Sequence, residues 1–205
     1  SGRAPPRSHL CWSSAALVLY KEDPDLVTQK ILRTGATTFT VTNFAYKTKD
    51  NLVHQPYHKF EADSLTFNPS GTSGDINVVS SSSFWVSAHV GQNFRIGLKQ
   101  FTVNSITNAT TAACTVRENF ANSNVTDDWQ EPAISSTRGH PRSCCFHSGR
   151  LVFGGTRDLP NFIFASKTSD YFNFDAGEAA DDDSIQVQIL ESQVSEITGV
   201  LTFRK

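Results

Sequence analysis

The sequence predicts an all-β chain, and three observations carry that prediction. Ser and Thr make up about a fifth of the 205 residues, there are 15 Phe, and apolar residues reach only 38%. β-Branched Thr and the aromatics fit a pleated, half-buried surface, while Ser suits turns. Short segments also alternate apolar and polar residues between turn signals, as strands with one solvated face do. The length allows one domain or two small ones.

Taken in order, "SGRAPPRSH" is Pro-rich and basic and reads as an arm or linker. "AALVLY" is a short strand closed by the turn signal "KEDPD". "LVTQKILRTGATTFTVTNF" predicts a hairpin about Thr34-Gly35-Ala36, with Phe39, Val41 and Asn43 on one face. Near Asn68 the composition shifts. After the loop "NPSGTSGD", short strands follow through "INVVSSSSFW", Phe94/Ile96/Leu98, Phe101/Val103/Ser105 and Ala112/Cys114/Val116. "ANSNVTDDWQEPAISSTRGHP" reads as a long loop. Four strands then come in series, "SCCFH", "RLVFGG", "NFIFAS" and "SIQVQIL", the first two joined at His147-Ser148-Gly149. A short helix at 192–199 stays open.

This pattern gives the expected architecture. Residues 1–67 and 128–205 form a partial propeller-like or meander sheet lobe, and residues 68–127 form an inserted small β-barrel or sandwich module. No internal repeat supports a complete propeller. The absence of Met, even at position 1, predicts that the sequence begins inside a longer chain or after processing.

A net charge of −2 excludes a uniform basic footprint for nucleic acid or anionic lipid. No apolar run approaches the roughly 20 residues of a bilayer span, so a soluble protein is expected. Four cysteines are too sparse for a disulfide scaffold, and Cys144 and Cys145 would point to opposite faces of a strand, so reduced thiols are expected.

"RSCCFHSGRLVFGG" is the stretch where chemistry could sit. Zinc needs four converging ligands, usually from two Cys pairs, whereas only Cys145 and His147 share a face here. A Cys–His nucleophile needs direct hydrogen-bond reach and an orienting third group, which an i, i+2 strand pair lacks. The stretch therefore reads as a packing hairpin, with no catalytic, metal or cofactor-binding residue assigned. Asp181 to Asp183 lack the spaced pattern of a Ca²⁺ loop and read as a solvated turn. His54 and His58 read as surface residues, since Pro56 breaks the helix that would align them. Arg138, Arg142, Arg150 and Arg157 cluster in sequence and could face DNA phosphates, or pair with nearby Asp.

Asp128-Trp129, "SSTRGHPRSCCFHSGRLVFGGTRDLPNFIFASKTSDYFNFD" and "ADDDSIQ" together resemble the nozzle family, also called tail tubular protein B, of short-tailed bacteriophages and related prophage tail proteins. The resemblance rests on folding residues: Trp129, Gly139, Pro141, Arg150, Phe153, Gly154, Ser166, Asp170 and Phe174. It is close over residues 128 to 190 and weaker from Ile31 through Phe120. His140 stands where the family usually has Tyr. Ser169 stands where it usually has Gly, which on residue type argues against a left-handed backbone there.

The resemblance implies a virion role: a structural, non-enzymatic module of a tail nozzle bounding the genome-ejection channel, dissolved in the host cytoplasm before assembly. Its implied partners are the adaptor, neighbouring nozzle subunits and, transiently and without sequence preference, DNA. The isolated chain is expected to be a monomer or weak dimer, with no membrane partner. Two other readings compete. A carbohydrate-binding or adhesion module would need exposed aromatics such as Trp85 and Trp129, and a cell-envelope hydrolase would need paired carboxylates, for which Glu61 with Asp63 or Glu178 with Asp181 are the candidates.

Overall fold

The computed structural model describes residues 8–12 and 17–21 as backbone, and residues 27–177, 180–190 and 196–201 in full. The described residues are all-β, with one short 3-10 turn at Ser87–His89 and no α-helix. The chain divides into two compact units. One comprises Ser1–Lys47, His54–Pro56 and Arg138–Lys205; the other comprises Thr48–Val53 and Tyr57–Thr137.

The first unit holds two four-stranded antiparallel meanders. β1 (Ser8–Trp12), β2 (Leu17–Lys21), β3 (Gln29–Arg33) and β4 (Phe39–Asn43) pair in chain order. β1 begins at Ser8 and His9, the last two residues of the stretch read from sequence as an arm; residues 1–7 of that stretch lie outside the described residues. The hairpin predicted about Gly35 is the β3–β4 pair, with Arg33 opposite Phe39 and Ile31 opposite Val41.

The second unit carries the hairpin β5 (Thr48–Lys49) and β6 (Leu52–Val53), then a seven-stranded sheet. The sheet comprises β7 (Tyr57–His58), β8 (Phe67–Pro69), β9 (Asp75–Ser80), β10 (Asn93–Ile96), β11 (Lys99–Asn108), β12 (Thr111–Val116) and β13 (Trp129–Pro132). Their order is β7-β13-β10-β11-β12-β9-β8. Among the described residues none of the sheets closes into a barrel, so the module expected as a small barrel or sandwich is an open seven-stranded sheet with one buried core. The alternations read from sequence at Phe94/Ile96, Phe101/Val103 and Ala112/Cys114 are its core-facing positions.

The second unit also extends beyond 68–127 on both sides, and the reason is aromatic packing. Phe67 and Trp129 are both fully buried and stack at 4.0 Å with ring planes 17° apart, and Trp129 Nε1 donates to the Leu65 carbonyl at 2.8 Å. Trp85, Phe84 and Phe94 complete the cluster. Both residues placed at the edge of the flanking lobe by sequence therefore belong to this core. β13 lies inside the stretch read as a long loop; only four residues long and ending in Pro, it gives no alternation to read.

The C-terminal meander matches its prediction strand for strand: β14 (Ser143–His147), β15 (Arg150–Gly154), β16 (Phe162–Ala165) and β17 (Ile185–Gln188). The β14–β15 tip, Ser148-Gly149, has φ of +47° and +73°, the two-residue turn whose twist suits a hairpin. β15 is covered on both faces. Cys145, Val152 and Ala165 form a small core on one. On the other, Phe153 stacks on Phe174 at 5.3 Å and meets Phe44 edge-on at 5.2 Å. The strand β14 lies beside β1 and β2, so the two meanders are neighbours through their first strands.

Candidate functional site

The polar residues that carry the sequence resemblance converge on one end of the C-terminal meander. Arg150 opens β15, and its guanidinium donates to three main-chain carbonyls: Ser166 at 2.6 Å, Asp181 at 2.5 Å, and Asp183. The planar fork of arginine suits several acceptors at once, and the charge strengthens each bond. The Asp-rich loop is thus held by its backbone, leaving the Asp181 and Asp182 side chains exposed. Asp183 is the exception. It is buried, and its carboxylate accepts from Lys167 Nζ at 2.5 Å and from the Ala180 amide at 2.9 Å. The hydrogen bond to Asp183 pushes the Lys167 pKa up, against the opposing effect of burial.

Ser166 is fully buried beside the clamp. Its hydroxyl accepts from the Leu151 amide at 2.9 Å and donates to the Lys167 carbonyl at 3.0 Å. The next turn brings Asp170 to Lys47 Nζ at 2.6 Å, with Asn173 Nδ2 donating to the same carboxylate oxygen at 3.1 Å. Burial alone would raise the Asp170 pKa; the hydrogen bonds from Lys47 and Asn173 and the charge of Lys47 outweigh it and hold the carboxyl low. Ser169 has φ of +62°, so the left-handed turn forms despite the serine, and its amide donates to the Gly149 carbonyl at 2.8 Å. The turn is closed by tertiary hydrogen bonds rather than by glycine.

The other residues of the resemblance are also accounted for by packing. At Gly139, φ is +93° and a Cβ would lie 2.6 Å from Arg157 Cβ and 2.9 Å from its amide nitrogen. At Gly154 a Cβ would meet Val200 Cγ2, where residues 197–200 cross β15. Pro141, Phe153 and Phe174 are buried. Sequence reading missed Lys47, Asn173 and Asp175 as members of this end of the sheet, and no local pattern marks Lys47, whose partner lies 123 residues away.

The remaining arginines bind elsewhere in the first unit. Arg138 and Arg157 share Asp158, at 3.5 Å and 2.9 Å, and Arg142 pairs with Glu196 at 2.6 Å. Arg138 and Arg157 thus pair with a nearby Asp, the sequence alternative, whereas the partner of Arg142 is a Glu 54 residues away.

The hairpin cysteines differ from expectation in one respect: Cys144 is disulfide-bonded, while Cys114 and Cys145 are free and buried. Burial pushes the Cys114 thiol up to about 12 and the Cys145 thiol up as well, away from nucleophilic thiolate. His147 is exposed. Among the described residues no group of three or more His, Cys, Asp or Glu is placed to hold a metal ion.

The aromatics proposed for a glycan platform are core residues: Trp129 is 0% and Trp85 2% exposed. Of the carboxylate pairs, Asp63 is exposed and ion-paired with Lys59 at 2.6 Å, and Glu178 lies outside the described residues. His54, expected at the surface, is largely covered and sits 3.4 Å from Asp175. No helix among the described residues is long and apolar enough to cross a membrane. Compared with protein-family models and with curated proteins, the chain matches none.

Proposed function

We propose that this chain is a structural module of the tail nozzle of a short-tailed bacteriophage or related prophage, contributing to the wall of the genome-ejection channel. The observation that carries the reading is the Arg150 clamp. The polar side chains of the resemblance, Arg150, Ser166 and Asp170, are all engaged in fixing turns of one sheet. A shared pattern made of such residues describes a shared architecture, and its use is mechanical: a rigid meander that keeps its shape under load. The disulfide at Cys144 suits a protein that ends in oxidising surroundings, such as a released virion.

In this reading the partners are other tail subunits. Contact with passing DNA is transient, weakened by salt and without sequence preference, because a channel wall must release what moves through it.

The test is localisation. Gold-labelled antibody against this chain, applied to particles produced by the host that carries its gene, should decorate one end of the tail, and disrupting the gene should leave DNA-filled particles that cannot infect. Infectious particles lacking the chain, or turnover of purified cell-envelope glycan by the chain, would overturn the proposal.

A further inference from the structure

Leu98 is held in an unfavourable backbone conformation and left in solvent. With Gly97 it forms the turn joining β10 to β11, where Ile96 lies opposite Lys99. The two φ angles are +51° and +67°. A hairpin turn of this kind takes Gly readily at its second central position, whereas a bulky side chain there crowds its own backbone. The other described residues with positive φ, glycines aside, are polar: Asp50, Asn51, Ser148 and Ser169. Leu98 alone is apolar.

Burial does not compensate for the strain. Leu98 is 66% exposed, more than any other large apolar residue of the second unit. The tip is nonetheless fixed in place. The Gly97 amide donates to the Asp128 carbonyl at 3.0 Å, and behind the turn Lys99 pairs with Glu118 at 3.1 Å. Asp128 is exposed, and its Oδ2 lies 3.8 Å from where a Cβ on Gly97 would stand. Its carboxylate has no ion partner among the described residues.

Strain and exposure at one fixed apolar side chain lower the stability of the free chain and serve nothing within it. They suit a contact with another molecule, where a knob already in position is buried with little further loss of freedom. We propose that Leu98 is the anchor of a protein contact: it enters an apolar socket on a neighbouring tail subunit, and a Lys or Arg on the socket's rim meets Asp128. This rests on the tail reading above. The chemistry favours protein over lipid. One leucine buries too little area to hold a chain on a bilayer, and a bare carboxylate at its foot is repelled by anionic lipid. The nearby cations do not change that balance: Lys99 is paired with Glu118, and Arg117 Nε donates to Thr102 Oγ1 at 2.8 Å, further along β11 from the tip.

The test uses particles. The host whose gene has been disrupted is supplied in trans with wild type, Leu98→Gly or Asp128→Lys. Quantitative mass spectrometry measures the chain per purified particle, and the thermal midpoint of each purified chain is measured beside it. Leu98→Gly relieves the turn, so its midpoint should rise while its content per particle falls roughly tenfold, the loss expected for one buried leucine. A merely structural role would move both readouts together. Asp128→Lys should lower incorporation roughly tenfold with its midpoint unchanged. Wild type absent from particles would overturn the tail reading and this inference with it. Wild type present, with either variant incorporated equally well, would overturn the inference alone. So would a lower midpoint for Leu98→Gly, which would remove the strain, or Leu98-dependent binding of the purified chain to phosphatidylcholine vesicles.

Discussion

Arg150 donates to the main-chain carbonyl of Asp183 while the Asp183 side chain accepts from Lys167 and from the Ala180 amide. One buried residue is thus gripped at its backbone by β15 and at its carboxylate by the chain beyond β16. The grip explains why an Asp-rich loop sits at a fixed place before β17: its local sequence favours a solvated turn, and the cation supplied by another strand settles the position.

Tyr46 sits between Phe44 and Phe174, with ring centroids 5.2 Å and 5.6 Å away, and its buried hydroxyl has no hydrogen-bond partner among the described residues. Desolvation pushes its pKa up. An unsatisfied buried hydroxyl is unfavourable, and Phe keeps the ring contacts, so Tyr46→Phe is expected to stabilise the protein by about 1 kcal/mol. Urea unfolding checks this; a loss of stability would mean that the hydroxyl has a partner.

Ser169 holds a left-handed conformation at an exposed turn. Relieving it with Gly offsets about 1–2 kcal/mol of backbone strain against the greater unfolded freedom of Gly, for a net gain of roughly 0.5 kcal/mol. The measurement is the thermal midpoint of Ser169→Gly, which should rise slightly. A clear fall would show that the serine side chain contributes more than its backbone costs.

The ion pairs at this end of the sheet set a pH window. Asp170 is held low, so its contribution is present above the unfolded carboxyl pKa, about 3.9, and is lost as pH falls through the lower folded value. Lys167 is held high, so its contribution is present below about 10.4 and is lost as pH rises through the higher folded value. Stability measured against pH should therefore fall at both extremes. Asp170→Asn should flatten the acid limb, and Lys167→Gln the alkaline one; limbs unchanged by these variants would assign the pH dependence to other groups.

Mass spectrometry after alkylation tests the cysteines. In the native protein Cys114 and Cys145 should resist iodoacetamide and react only on unfolding, while Cys144 should react only after reduction. Rapid native labelling of Cys145 would contradict its burial.

The strands with regular alternation were legible in the sequence: β3, β4, β10 to β12 and the whole C-terminal meander. There each side chain's face follows from its position, so residues such as Phe101 and Val103 declare the core. β13 was not legible, because Trp129 is recruited by its stack on Phe67 and not by any local period. Barrel closure was overestimated for a related reason, since strand count says nothing about whether the outer strands β7 and β8 meet. At the candidate site the sequence marked Arg150, Ser166 and Asp170 by resemblance. It could not show that Arg150 binds carbonyls and not carboxylates, or that Lys47 reaches Asp170 across 123 residues. Those contacts depend on tertiary placement.

The arginine of β15 holds the Asp-rich loop and this end of the meander, and Arg150→Lys removes that hold. Lysine keeps the charge but loses the fork that bonds three carbonyls. Denaturant unfolding should show a loss of about 2–3 kcal/mol for Arg150→Lys, against at most about 1 kcal/mol for the more exposed ion pair of Arg142→Lys. Hydrogen exchange should accelerate at residues 180–188 in the Arg150 variant alone. An Arg150→Lys protein as stable as wild type would show that the arginine does not hold the meander, most plainly if the same variant had lost affinity for duplex DNA at low salt.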